Sequence, residues 1–345
     1  MERVRLAVVG AGAIGGTVGA ALARAGHEVV FVDVVPEHVE AINERGIRIE
    51  GPIDSFAVRA TAHLPSDVRE RFGTVLLCVK AHATAQAARS VVPFLADDGC
   101  VVSLQNGLNE RVIGDAVGPR RTVGCFVNFG ADYLAPGVVH YGGRGALVLG
   151  ELDGAATPRL AALVELLRRF EPNAVATSNI WGYLWSKLAV GAMIFATALT
   201  DDGIADCYAM ARYRPVFAAI AREVLTVAVA HGIVPEAFDG FAPTDFLPGV
   251  PWASTERSLD AMVAFNRRSA KTHSGVWRDL AVRKRKTEGE AQLGAIVEHA
   301  RELGCDTPLV GAILARIRAL EAGALARSRA NLDALEALRN AAATT

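Results

Sequence analysis

Gly10-Ala11-Gly12-Ala13-Ile14-Gly15 follows the apolar run VRLAVV and precedes an alanine-rich stretch reaching about Ala25. No other feature of the chain constrains its fold as strongly. A lone GxGxxG is weak evidence, but between a strand and a helix it has a mechanical meaning. Gly10 permits the tight turn and Gly12 lets a pyrophosphate approach the backbone. Gly15 lets the helix pack close to the strand. The helix N-terminus, with Ala13 and Ile14, then faces the phosphates. Gly26-His27 breaks the helix, and EVVFVD reads as a second strand, completing a β-α-β unit of about thirty residues.

Further strands are expected at 74–80, 100–105 and 122–129, separated by helical patterns at 83–96 and 108–116. Strands alternating with helices imply a parallel sheet with right-handed crossovers. VVHYGG and ALVLGE read as a short hairpin closing this region. Beyond about residue 158 the patterns become helical, at 158–170, 178–200, 208–231, 255–270, 288–303 and 307–322, with a last alanine-rich helix after about 325. A length of 345 residues fits two domains at roughly 150 residues each. The expected class is α/β, a Rossmann-type parallel-sheet domain over 1–175 followed by an all-α domain over 176–345.

Composition excludes several classes. The formal net charge of -1 gives no global field toward nucleic acid or an anionic membrane. One basic run, Arg283-Lys284-Arg285-Lys286, reads either as a solvated face or as a contact for a carboxylate or phosphate. The cysteines Cys78, Cys100, Cys125, Cys207 and Cys305 form no CxxC pair and read as free thiols in a reducing compartment. No metal-type spacing is present, and no metal is expected. The first residues lead directly into a strand rather than a signal peptide. The apolar run from Leu188 to Leu199 is shorter than the ~20 residues of a membrane span. A soluble cytoplasmic enzyme is expected, with a small-molecule partner; the apolar helical half is compatible with a homodimer.

Asp33 closes the second strand about twenty residues after the glycine turn. A carboxylate there accepts from the adenosine ribose hydroxyls and repels a 2′-phosphate. Val34 and Val35 follow, so no adjacent arginine receives that phosphate. NAD is the expected cofactor, with NADP as the alternative. Lys80 in LLCVKAH and Asn106 in LQNG stand at carboxyl ends of strands, where open α/β sheets bind ligands. Lys187 interrupts an otherwise apolar helical pattern, a position costly for an unpartnered charge. Glu288 lies in KRKTEGE.

At these residues the sequence resembles the ketopantoate reductase family. The glycine motif, VKA, QNG, GADYLAPGVVHYGG, LWSKLAV, HSGVWRDLAVRKRKTE and Asp306-Thr307-Pro308 occur in family order across nearly the whole chain. The resemblance implies a Rossmann domain, a helical domain and reduction of a 2-oxo acid to a 2-hydroxy acid with a nicotinamide. It also implies that Lys187 is the general acid and that Asn106 faces the nicotinamide ribose and substrate. Lys80 would order the cofactor, and Glu288 would meet the ribose or the catalytic lysine.

Three departures modify that picture. The family carries asparagines four and eight residues after the lysine; here those positions are Gly191 and Phe195. Space and an aromatic wall in their place favour a bulkier or more apolar 2-oxo acid. The family serine that holds the substrate carboxylate has no clean match. Counting from either side gives Gly275 or Val276, with Ser274, His273, Thr272 or Arg278 as substitutes. Asp33 stands about where many members have an NADP-binding arginine. Two other readings remain open: the same scaffold acting on a β-hydroxy acid, a sugar acid or an imine, and a non-catalytic NAD-binding sensor.

Overall fold

An uninterrupted apolar strand is stable only if both of its faces are covered. The structure, a computed structural model, describes residues 3–268 and 272–342. In it the first strand, β1 (Arg5–Val9), sends Leu6 and Val8 into one core and Ala7 and Val9 into another. The chain divides into two compact units, Met1–Ile180 and Trp181–Thr345.

The strands of the first unit are β1, β2 (Glu28–Val32), β3 (Ile47–Glu50), β4 (Phe56–Val58), β5 (Thr61–His63), β6 (Phe72–Leu77), β7 (Leu95–Ser103), β8 (Thr122–Val127), β9 (Gly130–Ala135), β10 (Val138–Gly143), β11 (Leu147–Glu151) and β12 (Val175–Ala176). Its helices are α1 (Ala13–Arg24), α2 (Pro36–Arg45), α3 (Thr84–Val91), α4 (Glu110–Val117) and α5 (Pro158–Leu167).

The main sheet runs β12-β11-β8-β7-β6-β1-β2-β5. The stretch from β5 to β8 is parallel throughout, and its order is that of a Rossmann sheet, reversing direction between β1 and β6. Side chains of α1 and α5 fill the core on one face, and those of α3 and α4 fill the other. The ends of β1 and β6 therefore form the switch point where such sheets bind ligands.

The expected hairpin is corrected. ALVLGE becomes β11, antiparallel to β8 in the main sheet. VVHYGG becomes β10, which pairs antiparallel with β9 and parallel with β3 in a separate sheet, β4-β3-β10-β9. Ile47, Ile49, Val139 and Tyr141 of that sheet join the α1 side of the core.

The second unit is helical. It contains nearly all of α6 (Ile180–Thr197), then α7 (Ile204–Ala209), α8 (Arg214–Ala230), α9 (Trp252–Arg267), α10 (Gly275–Ala281), a π-helical turn at Glu290–Gly294, α11 (Ala295–Leu303), α12 (Pro308–Glu321) and α13 (Ala330–Ala342). Apolar α8 packs against α11, α12 and α13, and α7 packs on α9. By length and composition α6 is apolar enough to cross a membrane, but most of it is buried inside the protein, as in a core helix.

Candidate active site

The glycine turn follows β1 at the switch point. Gly10 has φ +90°, and a Cβ there would lie 2.9 Å from the backbone nitrogen of Val79, just after β6. The two strand-end loops touch only because residue 10 has no side chain. At Gly15 a Cβ would overlap the Gly10 carbonyl at 2.0 Å, which fixes the helix against the turn. Gly12 differs: a Cβ there would meet nothing within 4 Å. The first turn of α1 has neither a side-chain cap nor an acidic residue. This open cradle of N–H groups fits a pyrophosphate.

Two side chains hold the cradle. Asp33 accepts from the N–H of Ala11 (2.7 Å, Oδ2) and of Val35 (3.1 Å, Oδ1). Its carboxylate stays half-buried beside the turn. Burial, then the charges of Asp33 and Glu37, push the Tyr133 hydroxyl above the usual tyrosine range, so two carboxylates flank this corner. The buried His38 is a second clamp. The N–H of Gly137 donates to its Nδ1 (2.9 Å), so Nε2 carries the proton and donates to the Ala11 carbonyl (2.9 Å). The turn is thereby tied to the β9–β10 hairpin.

A polar network joins the next two strand ends. Gln105 Nε2 donates to the Val79 carbonyl (2.8 Å) and to Thr84 Oγ1 (2.7 Å). Thr84 donates to Asn109 Oδ1 (2.9 Å), and Asn109 Nδ2 donates to the Asn106 carbonyl (2.7 Å). Lys80 is half-buried and Asn106 exposed, each carried on one of the loops this network locks together.

In the helical unit, Lys187 is half-buried in the middle of α6. Gly191 follows one turn later on the same side, also half-buried. A Cβ at Gly191 would lie 3.4 Å from Gln292 Oε1 in the π-helical turn. Glu288 precedes that turn and is half-buried. The backbone around it is anchored by Glu321, whose Oε1 accepts from Thr287 N (2.8 Å) and Thr287 Oγ1 (2.7 Å).

Two sequence models match this chain. "Ketopantoate reductase PanE/ApbA" covers residues 6–154 and "Ketopantoate reductase PanE/ApbA C terminal" covers 179–321. A 2-dehydropantoate 2-reductase of Archaeoglobus fulgidus is 30% identical over 94% of this chain and 100% of its own length. The chain belongs to the ketopantoate reductase family. It is therefore an NAD(P)-dependent oxidoreductase. A PanE/ApbA family ketopantoate reductase structure from Ralstonia eutropha is 28% identical, covers 92% of this chain and 99% of its own, and superposes with a TM-score of 0.76. A D-mandelate dehydrogenase solved with NADH and anilino(oxo)acetate shares the fold with a TM-score of 0.80, at 23% identity over 92% of this chain and 99% of its own.

For a ketopantoate reductase relative, the structure places the remaining site candidates as follows. Phe195 departs from the expected aromatic wall. It is only 1% exposed, and its ring lies 3.7 Å from where a Gly289 Cβ would be, so it is interior packing. Ser274 is buried and caps α10, accepting from Trp277 N (3.0 Å). His273 stacks on Trp277 with ring centroids 4.1 Å apart. Its nitrogens engage Thr272 Oγ1 (2.9 Å) and the Asp201 carbonyl (3.1 Å). Both residues thus have structural partners that the motif does not reveal. In the basic run, Arg283 (3.2 Å) and Arg285 (2.9 Å) pair with Asp279. The side chains of Gln105, Thr84, Asn109, His38 and Glu321 were not singled out from sequence, since single polar residues without a motif give no local signal.

Proposed function

We propose that this protein interconverts a 2-oxo acid and a 2-hydroxy acid with NAD(H), using Lys187 as the general acid in reduction and the general base in oxidation. The observation that carries this reading is Lys187 itself. It is a half-buried cation on an otherwise apolar helix, one turn from the accessible surface left by Gly191. A lysine in that position is suited to donate a proton to a bound carbonyl oxygen.

When bound, the reduced nicotinamide supplies a hydride for the carbonyl carbon. Lys187 Nζ hydrogen-bonds the carbonyl oxygen and gives it a proton as negative charge develops, which also stabilises the alkoxide-like transition state. The product is the 2-hydroxy acid, and the neutral lysine regains its proton from solvent. Asn106 positions the nicotinamide ribose and substrate from an exposed strand end. Lys80 orders the cofactor, and Glu288 bears on the ribose or the lysine. Gly10, Gly12, Ala13, Ile14 and Gly15 hold the pyrophosphate. Asp33 receives the adenosine ribose hydroxyls, and its charge supports NAD over NADP.

Replacement of Lys187 by Ala tests the reading. We expect turnover to fall at least ~100-fold, the low end for a positioned acid, with NADH binding unchanged by fluorescence titration. A variant that keeps most of its turnover overturns the assignment.

A further inference from the structure

We propose that His38 is a positioning residue for the cofactor, aiming the backbone N–H of Gly12 at the pyrophosphate. This rests on the reading that the glycine turn holds the pyrophosphate. A planar trans peptide carries its C=O and N–H on opposite sides. The carbonyl of Ala11 and the N–H of Gly12 belong to one such unit, so whatever holds the carbonyl sets the direction of the N–H. His38 Nε2 holds it, at 2.9 Å. The Gly12 N–H therefore points away from His38, and among the described residues it donates to no protein group. Asp33 fixes the preceding unit, through the Ala11 N–H, and leaves this one to His38.

Such a tie is needed because of the glycine. Turning the unit over changes ψ of Ala11 and φ of Gly12, and glycine accepts either sign of φ. Gly12 stands at φ -69°. A reversed unit would present a carbonyl oxygen where a phosphate requires a donor. The tie itself is rigid. His38 lies in the first turn of α2 and is 1% exposed. The Gly137 N–H donates to its Nδ1 at 2.9 Å, so the single proton of the neutral ring sits on Nε2, facing Ala11. The ring of Tyr133 meets it edge-on, with centroids 5.1 Å apart. Gly137 is held in turn by its carbonyl, which accepts from the N–H of Arg48 (2.8 Å). A line of bonds thus runs from β3 through Gly137 and His38 to the Gly12 peptide. The small sheet, and with it the GADYLAPGVVHYGG segment, takes part in shaping the phosphate cradle.

Two variants separate the two ring nitrogens. The shorter carboxamide of His38→Asn reaches the former place of Nδ1 and can keep the bond to Gly137. That of His38→Gln reaches the former place of Nε2 and can keep the bond to Ala11. We expect His38→Asn to weaken NADH binding by roughly 10-fold or more in fluorescence titration, the effect of one lost hydrogen bond to a charged group. Its KM for NADH should rise in step, with kcat at saturating NADH within about 3-fold of wild type. His38→Gln should stay within about 3-fold of wild type in all three. Each variant gives up one bond, so a merely structural role would lower the thermal midpoint of both and leave NADH affinity unmoved in both. Wild-type affinity in His38→Asn, or equal weakening in His38→Gln, overturns this inference alone. If His38→Asn does not fold, the amide proton of Gly12 in the wild-type NMR spectrum should move downfield on addition of NADH, and a proton that does not move overturns the inference. A wild-type protein that does not bind NADH overturns it together with the cofactor-site reading.

Discussion

The carboxylate of Asp33 accepts a 2.7 Å hydrogen bond from the backbone N–H of Ala11. One side chain therefore shapes the phosphate turn and sets the charge at the end of β2. Its remaining acceptor capacity suits ribose hydroxyls, and its charge opposes a 2′-phosphate. We predict that wild type uses NADH at least ~10-fold better than NADPH in kcat/KM, and that Asp33→Ser narrows this ratio mainly by weakening NADH. Steady-state kinetics with both cofactors checks it. Equal use of the two by wild type contradicts it.

Gly12 and Gly10 should respond differently to the same change. A Cβ at Gly12 meets no protein atom within 4 Å, so Gly12→Ala should leave the thermal midpoint within about 2 °C while weakening NADH binding at least ~10-fold. At Gly10 the Cβ would lie 2.9 Å from Val79 N, at φ +90°. Gly10→Ala should therefore destabilise the fold itself, by roughly 1–3 kcal/mol. Denaturation and fluorescence titration of both variants separate the two effects.

The β1-turn-α1-β2 start was legible because its chemistry is written locally, in glycines at fixed spacing between apolar runs. The small sheet was not, because β3 and β10 are short and find each other across about ninety residues of sequence. Alternation shows that a strand exists but not which sheet receives it, so VVHYGG and ALVLGE read as partners. Lys187 stood out as a charge breaking an apolar pattern, and Lys80 and Asn106 as polar groups at strand ends, whereas Glu288, inside the charged run KRKTEGE, gained its meaning from the family resemblance. His38 did not stand out, because its meaning depends on what faces it, the Ala11 carbonyl and the Gly137 N–H. The helical pattern over 288–303 likewise could not show that its first turn is π-helical.

Gln105 bridges the loops that carry Lys80 and Asn106 through Val79 and Thr84. Gln105→Leu leaves buried Thr84 and the Val79 carbonyl without this partner. It should cost about 1–3 kcal/mol of stability and raise the KM for NADH, while leaving the NADH-to-NADPH ratio in place. Urea unfolding and cofactor kinetics test both parts. A changed cofactor preference would show that the network does more than hold the two loops together.

Glu223 links stability to pH. Burial pushes its carboxyl from 4.5 up to about 7, against the pull of the Leu309 and Val310 N–H groups it caps. Folding therefore favours its protonated form. The associated stability is fully present below about pH 4.5 and is lost as pH rises through about 7. At ~1.4 kcal/mol per pH unit, the loss amounts to roughly 3–4 kcal/mol. Glu223→Gln should flatten the fall in unfolding free energy between about pH 4.5 and 7 by that amount. An unchanged slope contradicts it.

The most direct test of the whole account is oxidation of NADH and NADPH by the purified protein across a panel of 2-oxo acids that includes 2-dehydropantoate. The account predicts turnover of at least one 2-oxo acid, faster with NADH, and its loss in Lys187→Ala. A protein that binds NADH but turns over no 2-oxo acid, or that works faster with NADPH throughout, contradicts it.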